Sequence, residues 1–277
     1  MMARKIKPWL LLAPILLLSA ACTGAKEPVA TPATQATGNA KPVATTTNHP
    51  APIEALEARG LEVLGTFDAP SGLTGYAGLA GTDPVSVYLT SDGQHALVGS
   101  LLDAQGNDVG ADAIRKLVIK PVSERTWSKL QDAAWVQDGK TTAPRTVYAF
   151  SDPNCPYCNL FWEAARPWVD AGKVQLRHVM VGVIRADSAN KAAAILTASS
   201  PEQALTSNER NFANGGIKPV ATVSAKVRAD LNANELLMLE LGFQGTPGIL
   251  FLDEDGNVQR RSGMPQPADL TTVLGPR

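Results

Sequence analysis

The sequence predicts two folded domains of mixed helix and strand: a small antiparallel α+β domain, a helical linker, and a larger α/β domain. Short strand-like segments with turn signals between them fill residues 53–115, and strand and helix patterns alternate over residues 143–277. A chain of 277 residues is long enough for two domains. Its net charge of −1 gives no support to nucleic-acid binding, so no nucleic-acid partner is expected.

Residues 1–22 have the features of an export signal. A basic start is followed by an apolar run over residues 9–18, which is too short to span a bilayer, and then by the small residues Ser19, Ala20 and Ala21. No later stretch reaches the length of a membrane span. The sequence therefore predicts cleavage of this segment and export of the mature protein into a compartment where disulfides form.

Cys22 directly follows the small residues, which resembles a bacterial lipoprotein signal whose cysteine becomes the lipid-bearing N-terminus. Ser19 stands where such signals usually have Leu, so an ordinary cleaved signal with an incidental Cys22 stays open. Residues 23–52 are rich in Ala, Thr and Pro and contain almost nothing that could form a core. They predict a disordered tether, which would be anchored in the membrane if Cys22 is lipidated.

The first domain is predicted over residues 53–115 as a short helix followed by four antiparallel strands. Asp92–Gly93 is a strong hairpin signal between the last two strands. A linker over residues 116–142 is predicted to contain a helix from Pro121 to Gly139, because apolar residues recur there at helical spacing. The apolar stripe consists of Trp127, Leu130 and Ala134.

The segment from Asp152 to Cys158 (Asp-Pro-Asn-Cys-Pro-Tyr-Cys) is the centre of the functional prediction. It follows a strand-like apolar run and opens a helical pattern. A helix N-terminus favours a thiolate, because its unpaired N–H groups and its dipole stabilise an anion. We therefore predict that Cys155 is the exposed, attacking catalytic sulfur, and that Cys158, one turn later, resolves the mixed disulfide. Pro156 would take the first helical position, where its missing N–H costs nothing.

A metal site is the alternative use of such a cysteine pair. A structural zinc site needs four ligands, but Cys22 is the one further cysteine and the histidines are scattered. Haem attachment would require histidine after the second cysteine, where the chain has Asn159. The cysteine count therefore favours thiol–disulfide chemistry through a Cys155–Cys158 disulfide, with no metal and no organic cofactor expected. His178, on a predicted strand, is expected to be a core or surface residue.

The second domain, residues 143–277, is predicted to have the thioredoxin order of elements. Strand, helix and strand come first, a helical insertion follows, and a strand hairpin and a helix end the domain. The first helix is expected to break near Pro167, and the last insertion helix to start at Asn234. Because the first strand holds no carboxylate, Asp152 and Glu163 are the nearest candidates for moving a proton.

These motifs resemble the bacterial periplasmic thiol:disulfide interchange proteins of the DsbC/DsbG family. The resemblance covers most of residues 53–277 and is closer to the DsbG branch, because Pro156 and Tyr157 stand between the cysteines where DsbC has Gly-Tyr. The matching segments beyond the cysteine motif are 161–162, 165–169, 172–177, 181–184, 192–196 and 246–247.

The resemblance implies an architecture and further site residues. The N-terminal domain would be a cystatin-like dimerisation domain, joined by the helical linker to a thioredoxin-like catalytic domain in a V-shaped homodimer. Thr246 and Pro247 would form a cis-proline loop that binds an extended substrate. Pro156 and Tyr157 would modulate the active site.

The resemblance also implies a thiol–disulfide oxidoreductase that acts on exported proteins. Its partners would be misfolded or cysteine-oxidised exported proteins and a membrane thiol reductant of the DsbD type. Disulfide isomerisation and reduction of sulfenylated cysteines both fit the Cys-Pro-Tyr-Cys dithiol, and the sequence does not decide between them. A DsbA-like dithiol oxidase and a chaperone-like binding module with a secondary redox role stay open as alternatives. A monomeric mature protein would favour the oxidase, which needs no dimerisation domain.

Overall fold

The computed structural model of the protein describes residues 48–277. The predicted signal peptide, Cys22 and residues 23–47 of the predicted tether lie outside the described residues. Residues 48–277 form one unit, in which a helical segment joins two β-sheets. Within this unit, no helix is both long enough and apolar enough to cross a membrane.

The first sheet is antiparallel, with its four strands side by side in chain order. Helix α1 (Ala51–Glu57) packs on one face, where Ile53 is buried with Tyr76 and Val87. The hairpin predicted at Asp92–Gly93 joins the last two strands. The strands are β1 (Leu61–Asp68), β2 (Thr74–Ala80), β3 (Asp83–Leu89) and β4 (Ala96–Val98).

A helical segment leads from the first sheet to the second. It consists of α2 (Ala111–Ile114), a π-helical turn (Arg115–Ile119) and α3 (Lys120–Asp132). Val118 of the π-helical turn is fully buried with Leu79 of the first sheet. The segment therefore packs against the first sheet rather than standing apart from it as a free connector.

The prediction that the linker helix continues to Gly139 is wrong. The helix ends at Asp132, and β5 (Trp135–Asp138) is an edge strand of the second sheet, paired antiparallel with β7 (Val174–Met180). The side chains of β5 are alternately half-buried and buried, which is the two-residue period of a strand. The second domain therefore begins with this strand, ahead of the predicted boundary.

The second sheet has five strands, and the strands and helices that come after β5 follow the predicted order. Its further elements are β6 (Arg145–Ser151), α4 (Pro156–Val169), α5 (Ser188–Leu196), α6 (Pro201–Arg210), α7 (Ala225–Glu240), β8 (Gly248–Leu252), β9 (Val258–Ser262) and α8 (Leu270–Leu274). The strand order is β5-β7-β6-β8-β9, with β6 and β7 parallel and the other neighbours antiparallel. Helices α5, α6 and α7 form the insertion between β7 and β8.

Helices cover both faces of the second sheet. On one face, α4 and α8 bury Trp168 and Val273 with Val147 of β6. On the other face, α3 and α7 bury Leu130 and Met238 with Tyr148. Because β6 is covered on both sides, its central residues are fully buried, and the segment that follows it starts from a rigid support.

Helix α4 passes through Pro167, although a break was predicted there. The missing N–H of this proline leaves the carbonyl of Glu163 without its helical partner. Both residues are exposed, so water can bind that carbonyl, and the buried side chains of Trp168 and Val169 anchor the last turn.

Helix α7 starts at Ala225, nine positions before the predicted Asn234. Ser224 caps it, because its hydroxyl accepts a hydrogen bond from the N–H of Val227. The buried residues then recur at helical spacing along one face. They are Val227, Leu231, Asn234 and Met238.

A buried ion cluster ties β5 to the rest of its domain. Asp138 accepts hydrogen bonds from both terminal nitrogens of Arg166 on α4, and His178 Nε2 on β7 lies 3.4 Å from its carboxylate. His178 Nδ1 lies 3.1 Å from Ser151 Oγ, so His178 is a core residue, as expected. Burial acts to raise the pKa of Asp138, but the contacts with His178 and Arg166 outweigh burial and lower that pKa to about 2.

We expect Asp138→Asn to destabilise the protein at neutral pH by about 2 kcal/mol, the order of free energy that the lowered pKa represents. This contribution is fully present above the unfolded-state pKa of aspartate, about 4, and is lost as the pH falls towards about 2. Denaturant unfolding at a series of pH values checks this. The stability gap between the two proteins should shrink across the acid range, and a gap independent of pH would contradict an ionised Asp138.

Candidate active site

The cysteine pair lies at the junction of β6 and α4, as the sequence predicts. After β6, the N–H of Cys155 donates to the carbonyl of Asp152 over 3.0 Å and closes a turn. Cys155 is the N-cap residue of α4, and Pro156 is the first helical residue. The N–H of Cys158 donates to Cys155 Sγ over 3.3 Å. The sulfur thus takes the place of the oxygen that usually caps a helix.

Both cysteines are free thiols, and both are buried. Cys155 is 2% exposed and Cys158 is 4% exposed, so the expectation that Cys155 is the exposed sulfur is wrong. The loop before β8 covers it: the carbonyl oxygen of Thr246 lies 3.3 Å from Cys155 Sγ and accepts a hydrogen bond from the sulfur when Cys155 is a protonated thiol. Tyr157 is 58% exposed, so the start of α4 nevertheless reaches the protein surface.

The two sulfurs differ in acidity in opposite directions. The pKa of Cys155 is lowered to about 6, chiefly because the Cys158 thiol donates a hydrogen bond to its sulfur, and further because of Thr246 and backbone N–H groups. The pKa of Cys158 is raised well above its ordinary value, mainly because burial disfavours its thiolate. At neutral pH the pair therefore holds one thiolate, on Cys155, and one thiol, on Cys158.

The loop before β8 lies directly against the attacking sulfur. Its Thr246–Pro247 peptide bond is cis, as predicted, and the carbonyl of Pro247 accepts a hydrogen bond from the N–H of Gly263 at 2.8 Å. The Thr246 hydroxyl is buried and makes no hydrogen bond within residues 48–277. It is therefore free to donate to a cysteine thiolate, which is the direction in which Thr246 shifts the pKa of Cys155.

A buried carboxylate fixes the turn before Cys155, a role that the sequence analysis did not assign. Asp152 is 1% exposed and accepts four hydrogen bonds of 2.7–2.9 Å. The donors are the N–H groups of Asn154, Val183 and Ile184 and the hydroxyl of Ser188. Because both of its carboxylate oxygens accept hydrogen bonds, Asp152 holds the turn before Cys155 in place. Glu163, the other residue predicted to move a proton, is exposed on α4.

A second buried carboxyl group, Glu209 on α6, was missed by the sequence analysis. Its Oε2 accepts a hydrogen bond of 2.8 Å from Asn159, the residue after Cys158. Asn208 donates to the carbonyl of Pro153 at 3.1 Å. Burial raises the pKa of Glu209, and the hydrogen bond from Asn159 opposes that rise. The partners are 50 or more positions apart, so no local pattern signals them beyond the asparagines beside the cysteines.

Exposed apolar side chains surround the start of α4. Tyr157 and Leu160 line a shallow groove together with Met264, which belongs to the segment that comes after β9 in sequence. Val183 and Ile184, whose N–H groups bind Asp152, are 38% and 45% exposed. Apolar surface around a reactive sulfur is typical of a site that binds polypeptide.

The chain is similar to known proteins over most of its length. A family model described as a thioredoxin-like domain matches residues 133–275. The thiol:disulfide interchange protein DsbG of Pseudomonas aeruginosa is 49% identical over 228 residues, which are 82% of this chain and 89% of that protein. DsbG of Escherichia coli is 39% identical over 226 residues, which are 82% of this chain and 91% of that protein. The solved catalytic domain of Proteus mirabilis ScsC matches with 19% identity and a TM-score of 0.47, over 56% of this chain and 96% of that domain.

We expect Cys158→Ala to raise the pKa of Cys155 by about one unit or more, because it removes the hydrogen bond that contributes most to lowering that pKa. Cys158→Ser is the matched control, since its hydroxyl can still donate to the sulfur. Titration of the thiolate by its ultraviolet absorbance measures both variants. Equal pKa values for Cys155 in the two variants would show that the side-chain donor has no such effect.

Proposed function

The chain belongs to the DsbG family of thiol:disulfide interchange proteins, and we propose that Cys155 and Cys158 carry out its thiol–disulfide exchange on exported proteins. The supporting observation is the difference in acidity between the two sulfurs. The pKa of Cys155 lies near 6, whereas that of Cys158 is raised well above its ordinary value. The Cys155 sulfur is therefore a nucleophile at neutral pH, and the Cys158 sulfur stays protonated until it resolves the mixed disulfide.

The first step is attack by the Cys155 thiolate on an oxidised client sulfur. With a client disulfide, the new bond joins Cys155 to one client sulfur, and the other client sulfur leaves as a thiolate. With a client sulfenic acid, the same bond forms and hydroxide leaves, taking up a proton to become water. Both routes give one mixed disulfide between the client and Cys155.

The mixed disulfide is then resolved in one of two ways. In isomerisation, the freed client thiolate attacks another client disulfide, and the last client thiolate formed releases Cys155 without net redox change. In reduction, Cys158 loses its proton and attacks Cys155, so that the client leaves reduced and the Cys155–Cys158 disulfide forms. A membrane thiol reductant of the DsbD type would then supply the two electrons that restore the dithiol.

The loop and groove beside the sulfurs are the proposed client-binding surface. Thr246 and Pro247 lie against Cys155, and the N–H of Thr246 makes no hydrogen bond within residues 48–277, so it can pair with an extended client segment. Pro156 sets the start of α4, and the exposed Tyr157 would contact the client. Misfolded or cysteine-oxidised exported proteins suit this surface, because their apolar segments can pair with its exposed apolar side chains.

A homodimer built through the N-terminal domain is part of the proposal. Strand β4 is an edge strand of the first sheet, and the unpaired N–H and C=O groups of a sheet edge can pair with a second chain. Leu97, Val98 and Leu102, on and just after this strand, are each about 60% exposed. Large apolar side chains at an open edge favour a protein–protein interface.

The proposed location is the periplasm. The export signal predicted over residues 1–22 supports it. A lipid on Cys22 would tether the enzyme to the membrane, whereas an ordinary cleaved signal would leave it free to diffuse. Either form leaves the exchange chemistry of the second domain unchanged.

Two alternatives use the same site differently. A DsbA-like oxidase would keep the pair as a disulfide and pass it to clients. A chaperone-like module would bind clients through the apolar surface and would need the thiols only secondarily. The four-stranded domain ahead of the catalytic one favours the isomerase or reductase over the oxidase, because an oxidase of the DsbA type needs no dimerisation domain.

The redox state of the pair in living cells tests the proposal. We expect the exported protein, acid-quenched and then alkylated, to be mostly dithiol, since an isomerase or reductase needs a free Cys155 thiolate. Cells that lack the membrane reductant should accumulate the disulfide form. A pair that is mostly oxidised in both kinds of cell would instead identify an oxidase.

A further inference from the structure

A buried lysine in the helical insertion contacts the turn that carries the attacking cysteine. Lys191, on α5, is 6% exposed, and its ammonium group donates to Asn154 Oδ1 at 2.8 Å and to the carbonyl of Gly215 at 2.7 Å. The carboxylate of Asp187 lies 3.7 Å away and is half-exposed. Burying an ammonium group is costly, so its position needs a compensating role.

Asn154, the residue before Cys155, is held in one position by hydrogen bonds to both polar atoms of its side chain. Its Oδ1 accepts from Lys191, while its Nδ2 donates to Asp187 at 2.9 Å and to Ser188 at 3.0 Å. Its backbone N–H donates to Asp152 Oδ1 at 2.8 Å. The residue is 4% exposed, so water does not replace these partners easily.

We propose that Lys191 is a positioning residue for the dithiol: its buried ammonium group fixes Asn154, and Asn154 fixes the backbone from which Cys155 caps α4. The proposal deepens the function proposed above and rests on it, because it concerns how the attacking sulfur is held. It assigns the insertion a part in the chemistry of the cysteines as well as a part in the core.

The geometry of the cap explains why this position matters. Cys155 Sγ is 3.3 Å from the N–H of Cys158 and 3.3 Å from the carbonyl of Thr246, so small movements of the cap residue change both contacts. Hydrogen bonds weaken steeply with distance and angle. A looser Asn154 would therefore weaken the hydrogen bond from the Cys158 N–H that stabilises the thiolate, although no cysteine is altered.

The test measures the pKa of Cys155 in the full mature protein carrying Lys191→Met, Asn154→Ala, or both. We expect each single change to raise that pKa by about half to one unit, a threefold to tenfold loss of acidity. The double variant should show no further rise, because both changes break the same link. The equilibrium with glutathione should shift severalfold towards the Cys155–Cys158 disulfide in each variant, since a less stable thiolate disfavours the dithiol.

Two control variants separate positioning from general stability and charge. Ile195 lies on the same helix and is fully buried, so we expect Ile195→Val to lower thermal stability without changing a contact of Asn154. Lys226→Met removes an exposed lysine that pairs with Asp230 on α7. Neither should move the pKa of Cys155, whatever it does to the unfolding temperature.

Several results would overturn the proposal. An unchanged pKa of Cys155 in Lys191→Met, with only a lower unfolding temperature, would make Lys191 structural. Additive rises in the double variant would mean that its charge acts through space rather than through Asn154. If Lys191→Met does not fold, Asn154→Ala decides by the same criterion. An ordinary pKa in the unaltered protein would instead refute the proposed function itself.

Discussion

The reactivity of the site depends on one local arrangement: the Cys155 sulfur caps α4 and accepts a hydrogen bond from the N–H of Cys158, and the neighbouring Cys158 thiol lowers the pKa of Cys155. This arrangement places the negative charge of the pair on one sulfur and keeps the proton on the other. The same burial that raises the pKa of Cys158 makes its thiol a donor to Cys155. Nucleophile and resolving group therefore arise from one local geometry rather than from two separate sites.

The rest of the second domain holds this geometry in place. Strand β6 is buried on both faces, and the turn after it is fixed by the four hydrogen bonds to Asp152. The insertion adds contacts to Asn154 and Asn159 on either side of the cysteines. The loop with the cis bond at Pro247 closes the remaining side. The active site is thus shared among elements that are far apart in sequence.

The sequence was sufficient for features set by local chemistry. The cysteine spacing, Pro156 at the start of α4 and the hairpin at Asp92–Gly93 are encoded within a few residues. It was insufficient where tertiary contacts decide: β5 is a strand because its backbone pairs with β7, and Cys155 is covered because Thr246 lies over it. The polar contacts of the insertion have no local signal beyond the asparagines beside the cysteines, because their partners are far apart in sequence.

The most direct measurement is the rate of alkylation of each cysteine in the unaltered, reduced protein as a function of pH, resolved by peptide mass spectrometry. We expect Cys155 to react with a midpoint near its pKa of about 6, while Cys158 stays unmodified into the alkaline range. Two cysteines that react together, with a midpoint near the ordinary thiol value of about 8.5, would contradict it.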